Sequence, residues 1–185
     1  LDEVVIVDNA SGDGSAERLE RAIAARGMSR YCRILRSEHN GGFAAGNNIG
    51  IRAADANFYL LLNSDTIVRK GAIQALLAQM QAHPGVGLMG PRLEWPDGTP
   101  QISCFRDHTP VSELLAAAKT GPIASLLADF EVALPVTNDT CEAEWISFAC
   151  VMIRREVIEK IGLLDEGYFM YFEDSDYCRA ARAAG

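Results

Sequence analysis

The sequence predicts an α/β fold with a mainly parallel central sheet. Short apolar runs stop abruptly at polar clusters: Val4-Val5-Ile6-Val7 at Asp8-Asn9, and Phe58-Tyr59-Leu60-Leu61-Leu62 at Asn63-Ser64-Asp65. Unbroken runs of this kind suit strands covered on both faces. Helical patterns separate them, and such alternation over the first half favours parallel pairing. Finally, 185 residues with 49% hydrophobic and 23% charged side chains suit one domain with a sizeable core.

The elements follow in order. Residues 4–7 form the first strand. Ser11-Gly12-Asp13-Gly14-Ser15 is a turn rich in helix-capping residues, and the next helix places Leu19, Ala22, Ile23 and Ala25 at helical spacing before Gly27. Residues 32–35 are a second strand. After Asn40-Gly41-Gly42, residues 43–54 read as a helix in spite of Gly46 and Gly50. Residues 58–62 are the third strand. Residues 70–82 are a helix with Ile73, Leu76, Leu77 and Met80 as its buried stripe. Residues 86–89 are a fourth strand, expected to be parallel to the others. Trp95-Pro96-Asp97-Gly98 is a hairpin tip. Pro110, Gly121, Pro122 and Pro135 divide 107–140 into short pieces. Residues 145–153 read as one strand, followed by helices over 155–161 and 173–184.

Composition excludes several functions. The net charge of −8 argues against a general nucleic-acid binder, which needs a clustered basic face. No window approaches the ~18 apolar residues of a membrane span, and Leu1-Asp2-Glu3 has no basic leader signature. Cysteines at 32, 104, 141, 150 and 178 are odd in number and lack CxxC spacing, so buried free thiols in a reducing cytosol are expected, with Cys150 and Cys178 in apolar or helical runs. There is no GxGxxG and no GxxxxGK[ST], which disfavours hydride transfer on a dinucleotide and P-loop chemistry.

Chemistry concentrates at strand ends. Ligands of open parallel sheets bind beyond the carboxyl ends of the strands. Asp8 and Asp65 each sit at such an end, and a Gly/Asn-rich loop, Asn40-Gly41-Gly42 with Asn47-Asn48, joins them. One such Asp alone would be read as a turn residue. Three histidines without zinc spacing leave an oxygen-ligated cation held partly by substrate phosphates. The densest cluster is Tyr168-Phe169-Met170-Tyr171-Phe172-Glu173-Asp174-Ser175-Asp176. Its acids open a predicted helix, where the dipole favours the anionic form and a carboxylate often merely caps. The four aromatics before them suggest a pocket wall, and a carboxylate there suits a general base for a sugar hydroxyl.

These clusters, in this order, resemble the family 2 glycosyltransferases of the GT-A fold, in particular the bacterial rhamnosyltransferase-like members. The residues that carry the likeness are Val4–Ser11, Asn40–Asn48, Leu61–Thr66, Gly162–Glu166 and Phe169–Asp176. The resemblance implies a Rossmann-like αβα sandwich, residues 1–185 forming a single domain. It also implies a strand ahead of residue 4 and a continuation past residue 185, so the chain is expected to be a piece of that domain lacking its first strand. The exposed edge would then favour self-association.

The resemblance further implies a nucleotide-diphosphate sugar donor, UDP- or dTDP-linked, and a glycan or lipid-linked acceptor in cell-surface polysaccharide synthesis. Asp8 and Asn9 would meet the nucleotide, with Asn40, Gly41, Asn47, Asn63 and Ser64 around the donor. Asp65 would hold Mg²⁺ or Mn²⁺. Asp174 would be the base of an inverting displacement, supported by Glu173 and Asp176. Phe148 stands where the family usually has Gly, so a ring there is expected to narrow a binding pocket. Segment 107–140 would shape the acceptor side. Its apolar residues Val111, Leu114, Leu115, Ile123, Leu126, Leu127 and Phe130 suit packing better than a lipid surface, because Lys119 is the only Lys or Arg there. The expected location is cytoplasmic, peripheral at the inner face of the membrane. The alternatives are a GT-A-like nucleotidyltransferase, which needs a basic Gly-rich phosphate loop, and an inactive folded fragment.

Overall fold

The computed structural model describes residues 1–112 and 131–185. The chain divides into two compact units, Leu1–Tyr59 with Arg154–Glu173, and Leu60–Ile153 with Asp174–Gly185.

The first unit is built on a strand–helix–strand crossover. Strand β1 (Val4–Asp8) pairs in parallel with β2 (Cys32–Arg36), Val4 opposite Cys32 and Asp8 opposite Arg36. Helix α1 (Ser15–Ala25) makes the crossover that parallel strands require. Its N-cap is Gly14 rather than a side chain, although Asp13 Oδ1 accepts the Ser15 N–H at 2.9 Å. The buried residue of α1 is Ala16, whereas Leu19 is 40% exposed.

Helix α2 (Gly42–Ala53) packs against β1. Gly46 faces Asn9, whose Nδ2 would lie 3.4 Å from a Cβ at that position, an ordinary contact distance. Helix α2 buries Gly42, Ala44, Asn48 and Ile51. Helix α4 (Arg155–Ile161) belongs to the same unit, tied by Arg155, whose N–H donates to Asn57 O and whose Nε donates to Ala56 O at 2.7 Å.

The second unit holds most of a sheet of three strands in the order β3-β7-β4: β3 (Phe58–Leu62), β4 (Leu88–Met89) and β7 (Cys150–Arg154). Strand β4 is shorter than expected and antiparallel to β7, with Leu88 opposite Ile153. Val86 is taken into a turn, its N–H donating to His83 O. Strand β3 also runs antiparallel to β7, since Asn63 N–H meets Ala149 O and Arg155 N–H meets Asn57 O.

The single strand expected over 145–153 is two. Residues Trp145–Ile146 (β6) pair with Cys104–Phe105 (β5), and a turn closed by Ala149 N–H on Ser147 Oγ separates them from β7. Two different partners require that break. The hairpin tip at 95–98 forms as expected, with Gly98 N–H donating to Trp95 O. Helix α3 (Ala72–Ala82) buries Leu76 and Met80, and Phe148, Val151, Met152, Ile153, Tyr177 and Cys178 complete this core. All five cysteines are free thiols, Cys32 and Cys178 being buried. Residues 113–130, with Leu114, Leu115, Lys119, Ile123, Leu126, Leu127 and Phe130, lie outside the described residues; Val111 is 40% exposed.

Candidate active site

In the first unit, the end of β1 and the loop before α2 are knitted together by asparagines. Asn9 Nδ2 donates to Asn40 Oδ1 (3.0 Å) and Gly42 O (2.9 Å), and Asn9 Oδ1 accepts from Gly41 N–H (3.3 Å). Asn40 Oδ1 also accepts the Gly42 N–H at 3.0 Å. These side chains spend their polar atoms on each other and on the loop backbone, fixing its shape. Asp8 ends β1 and is half-buried; its Oδ1 accepts the Ser11 N–H at 3.2 Å, around an Ala10 held at φ 59°. Asn47 Nδ2 donates to Phe43 O one turn back, leaving its Oδ1 as the open acceptor.

The same unit carries the run that leads into the acidic cluster. Phe169, Met170, Tyr171 and Phe172 are 55–72% exposed, so they present an open apolar surface rather than the wall of a closed pocket. Tyr171 and Phe172 both adopt left-handed backbone, φ 71° and 70°. Consecutive non-glycine residues in this region are strained and persist only where their surroundings over-determine them. Phe169 is clamped: Phe43 N–H donates to its carbonyl at 2.9 Å, and Gly42, at φ 84°, has room for no Cβ against that oxygen.

In the second unit, Asn63, Ser64 and Asp65 form a turn beyond β3. Asn63 O accepts Thr66 N–H (3.2 Å) and the Thr66 hydroxyl (2.7 Å), and Asp65 is exposed on that turn. Among the described residues no group of three or more His, Cys, Asp or Glu side chains is placed to hold a metal ion. A single exposed carboxylate fits a hard divalent cation that takes its remaining ligands from substrate phosphates and water.

Helix α5 (Glu173–Ala184) starts with the acids. Glu173 is buried, and Asp174 and Asp176 are half-buried. Burial pushes the Asp174 carboxyl up from the ordinary aspartate value, and the N–H groups of Ser175, Asp174 itself and Phe148 pull the other way. The Ser175 N–H donates to Asp174 Oδ1 at 2.8 Å. The helix start was expected to favour the anion; desolvation outweighs it here. Cys178, one turn along α5, is the charge-sensitive neighbour of Asp174, and its thiol is pushed up to about 11 by burial first.

The Phe148 ring is buried, edge-on to Tyr177 with centroids 6.1 Å apart, so it fills the core and does not narrow a pocket. Its backbone supplies a donor to Asp174 instead. Tyr177 is itself pushed up to about 12 by burial.

The sequence reasoning passed over Asn48 as a working residue. Fully buried in α2, it donates through Nδ2 to Leu164 O (2.8 Å) and Glu166 Oε1 (2.9 Å) and accepts the Leu164 N–H (3.1 Å). The signal was available: Ala44, Asn48 and Ile51 share one helix face, so an amide sits in an otherwise apolar stripe.

Residues 1–162 match the family model for glycosyl transferase family 2. The chain belongs to that family. It is 27% identical over 195 residues to the N-acetylglucosaminyl-diphospho-decaprenol L-rhamnosyltransferase of Mycobacterium tuberculosis, covering 94% of this chain and 58% of the relative. The chain thus spans little more than half of that relative's length.

Two solved structures share the fold. One is a mannosyltransferase from Pyrobaculum calidifontis in complex with GDP-Man and Mn²⁺, with TM-score 0.59 and 16% identity over 95% of this chain and 41% of the other. The second is GalNAc-T7 with UDP, GalNAc and Mn²⁺, with TM-score 0.69 and 16% identity over 97% of this chain and 34% of the other. The GT-A fold class is therefore established for this family 2 chain.

Proposed function

We propose that this family 2 chain carries the catalytic part of an inverting glycosyltransferase. The donor is a nucleotide-diphosphate sugar, UDP- or dTDP-linked, and the acceptor is a hydroxyl of a glycan or lipid-linked saccharide in cell-surface polysaccharide synthesis. The observation that carries this is Asp174, a half-buried carboxylate made more basic by burial, whose Oδ1 accepts the Ser175 N–H at 2.8 Å. A raised carboxylate is a better proton acceptor near neutral pH.

In this reading Asp174 takes the proton from the acceptor hydroxyl. The oxygen then attacks the anomeric carbon, the bond from that carbon to the diphosphate oxygen breaks, and the nucleoside diphosphate leaves. Glu173 and Asp176 support the helix start. Asp8 recognises the nucleoside, on a loop whose shape is built by Asn9, Asn40 and Gly41, with the open Oδ1 of Asn47 nearby in sequence. Asn63 and Ser64 shape the turn that presents Asp65, which would hold Mg²⁺ or Mn²⁺. Such an ion, when bound, offsets charge on the leaving diphosphate.

Segment 107–140 forms the acceptor side, and residues 1–185 act as one glycosyltransferase domain. No helix among the described residues is long and apolar enough to cross a membrane. We place the protein on the cytoplasmic side, peripheral at the inner face of the membrane.

The test is Asp174→Asn in the full-length protein. Transfer should fall about 10²–10⁴-fold, the usual worth of a general base, while donor binding measured by calorimetry persists. Glu173→Gln should cost less. Near-normal turnover in Asp174→Asn, with loss in Glu173→Gln or Asp176→Asn, would move the base elsewhere.

A further inference from the structure

Strand β5 has a neighbour on each edge, and both lie with it in the second unit. On one edge is β6, with Cys104 opposite Ile146 and Phe105 opposite Trp145. On the other are residues 132–134. There Phe105 bridges Ala133, Arg106 N–H donates to Val132 O at 2.7 Å, and Leu134 N–H donates to Cys104 O at 2.9 Å. Both neighbours run antiparallel to β5 and therefore parallel to each other. A chain that leaves one edge of a strand and returns on the other in the same direction has to cross a face of that strand. Residues 135–144 make that crossing, and Glu144 N–H closes it on Phe105 O at 3.0 Å.

Successive side chains of a strand stand on opposite faces. Phe105 takes one face, where its ring stacks on Trp145 with centroids 4.0 Å apart. Cys104 takes the other and meets the crossing there: its thiol is within hydrogen-bonding reach of the Cys141 thiol. The crossing is held elsewhere by Arg92, whose Nη1 donates to Asn138 Oδ1, and by Asp139 N–H on Thr137 Oγ1 at 3.0 Å. Both cysteines are free thiols, Cys141 exposed and Cys104 half-buried. Burial first, and the neighbouring Cys141 second, push the Cys104 thiol up.

We propose that Cys104 and Cys141 are a redox-active dithiol, which closes to a disulfide by exchange with a low-molecular-weight disulfide RSSR and so staples the crossing to β5. Exposed Cys141 attacks first, because exchange needs an accessible thiolate. Its sulfur bonds to one sulfur of RSSR, the S–S bond breaks, and RS⁻ leaves. Cys104 thiolate then attacks the Cys141 sulfur of that mixed disulfide and expels the second RS⁻. Two protein thiols are oxidised, RSSR is reduced to two RSH, and these carry away the two thiol protons. Excess RSH runs the same steps backward and reopens the pair. The closed bridge joins the two ends of residues 105–140, and it forms whether or not Asp174 is the base.

The full-length protein is treated with excess oxidised glutathione, then digested with trypsin and a glutamate-specific protease for mass spectrometry. Cleavage after Glu94, Arg106, Glu131 and Glu142 leaves Cys104 in residues 95–106 and Cys141 in residues 132–142, apart from Cys32, Cys150 and Cys178. The two peptides should be found joined, and dithiothreitol should part them. Cys104→Ser should stop at a stable glutathione adduct on Cys141. Cys141→Ser, a change at an exposed position, should leave Cys104 unmodified. The linked protein should melt about 5–15 °C above the reduced one, as closing a loop of this length does, and Cys141→Ser should show no such shift.

Absence of the joined peptide overturns the proposal, whether Cys141 carries glutathione or stays reduced. Cys141 joined instead to another cysteine, or to a second copy of the chain, overturns it too. A fully linked protein that melts no higher than the reduced one overturns the staple. The wild-type digest decides alone if Cys104→Ser does not fold.

Discussion

Gly42→Ala is the sharpest stability test, because the structure supplies its own control. A Cβ at Gly42 would sit 2.0 Å from Phe169 O, 2.7 Å from its carbonyl carbon and 2.8 Å from its Cα. The carbonyl would have to retreat by more than 1 Å to reach ordinary contact. That retreat breaks the Phe43 N–H to Phe169 O hydrogen bond, worth about 0.5–1.5 kcal/mol net. Alanine at φ 84° adds about 1–2 kcal/mol of backbone strain. The sum is a loss of about 1.5–3.5 kcal/mol. Gly12 has a similar φ of 66° but nothing within 4 Å of a Cβ, so Gly12→Ala should cost the strain alone, about 1–2 kcal/mol. Urea unfolding followed by far-ultraviolet circular dichroism measures both. Should Gly42→Ala cost no more than Gly12→Ala, the clamp on Phe169 is not what holds this segment.

Two further outcomes are expected. The Asp174 carboxyl has a folded value above its unfolded one, so charging it opposes folding: its own contribution to stability is fully present below the ordinary aspartate value of 3.8 and is lost as pH rises through the raised value. Asp174→Asn removes this dependence, so thermal melts across that window should show wild type losing ground to the variant as pH rises, and parallel curves would refute the burial argument. Asp65→Ala should abolish Mn²⁺-dependent binding of UDP or dTDP in calorimetry while leaving the melting temperature unchanged, since an exposed turn residue is not core; unchanged affinity assigns the metal elsewhere.

The alternation of apolar runs and helical patterns made most elements legible, because each strand is short, unbroken and stopped by a polar turn. Pairing partners were less so. The 145–153 run is apolar enough for one strand, yet Ser147 turns the chain and sends its halves to β5 and β4. Nothing local in the sequence encodes which distant strand a run will meet. Leu19 illustrates the same limit: helical spacing put it in the stripe with Ala22, Ile23 and Ala25, yet it is 40% exposed and the buried residue of α1 is Ala16, outside that stripe. At the site, residue types pointed to Asp8, Asp65 and Asp174, but not to the balance at Asp174. The helix start was visible, whereas the desolvation that outweighs it depends on residues brought from far along the chain.

The asparagines show how one motif divides its labour. Asn9 and Asn40 bond each other and the backbone of Gly41 and Gly42, so substituting either would loosen the loop before it removed a ligand contact. Asn47 keeps an acceptor open, while Asn48, its neighbour in sequence, points to the buried face of α2 and strips its amide of any role except holding Leu164 and Glu166. A helix turns about 100° per residue, so adjacent asparagines necessarily face different surroundings. The pair therefore joins a surface that can meet a ligand to a strap that holds Leu164 and Glu166. Donor affinity should follow changes at Asn47, whereas Asn48→Ala, which leaves the N–H and C=O of Leu164 without their partner, should lower the melting temperature.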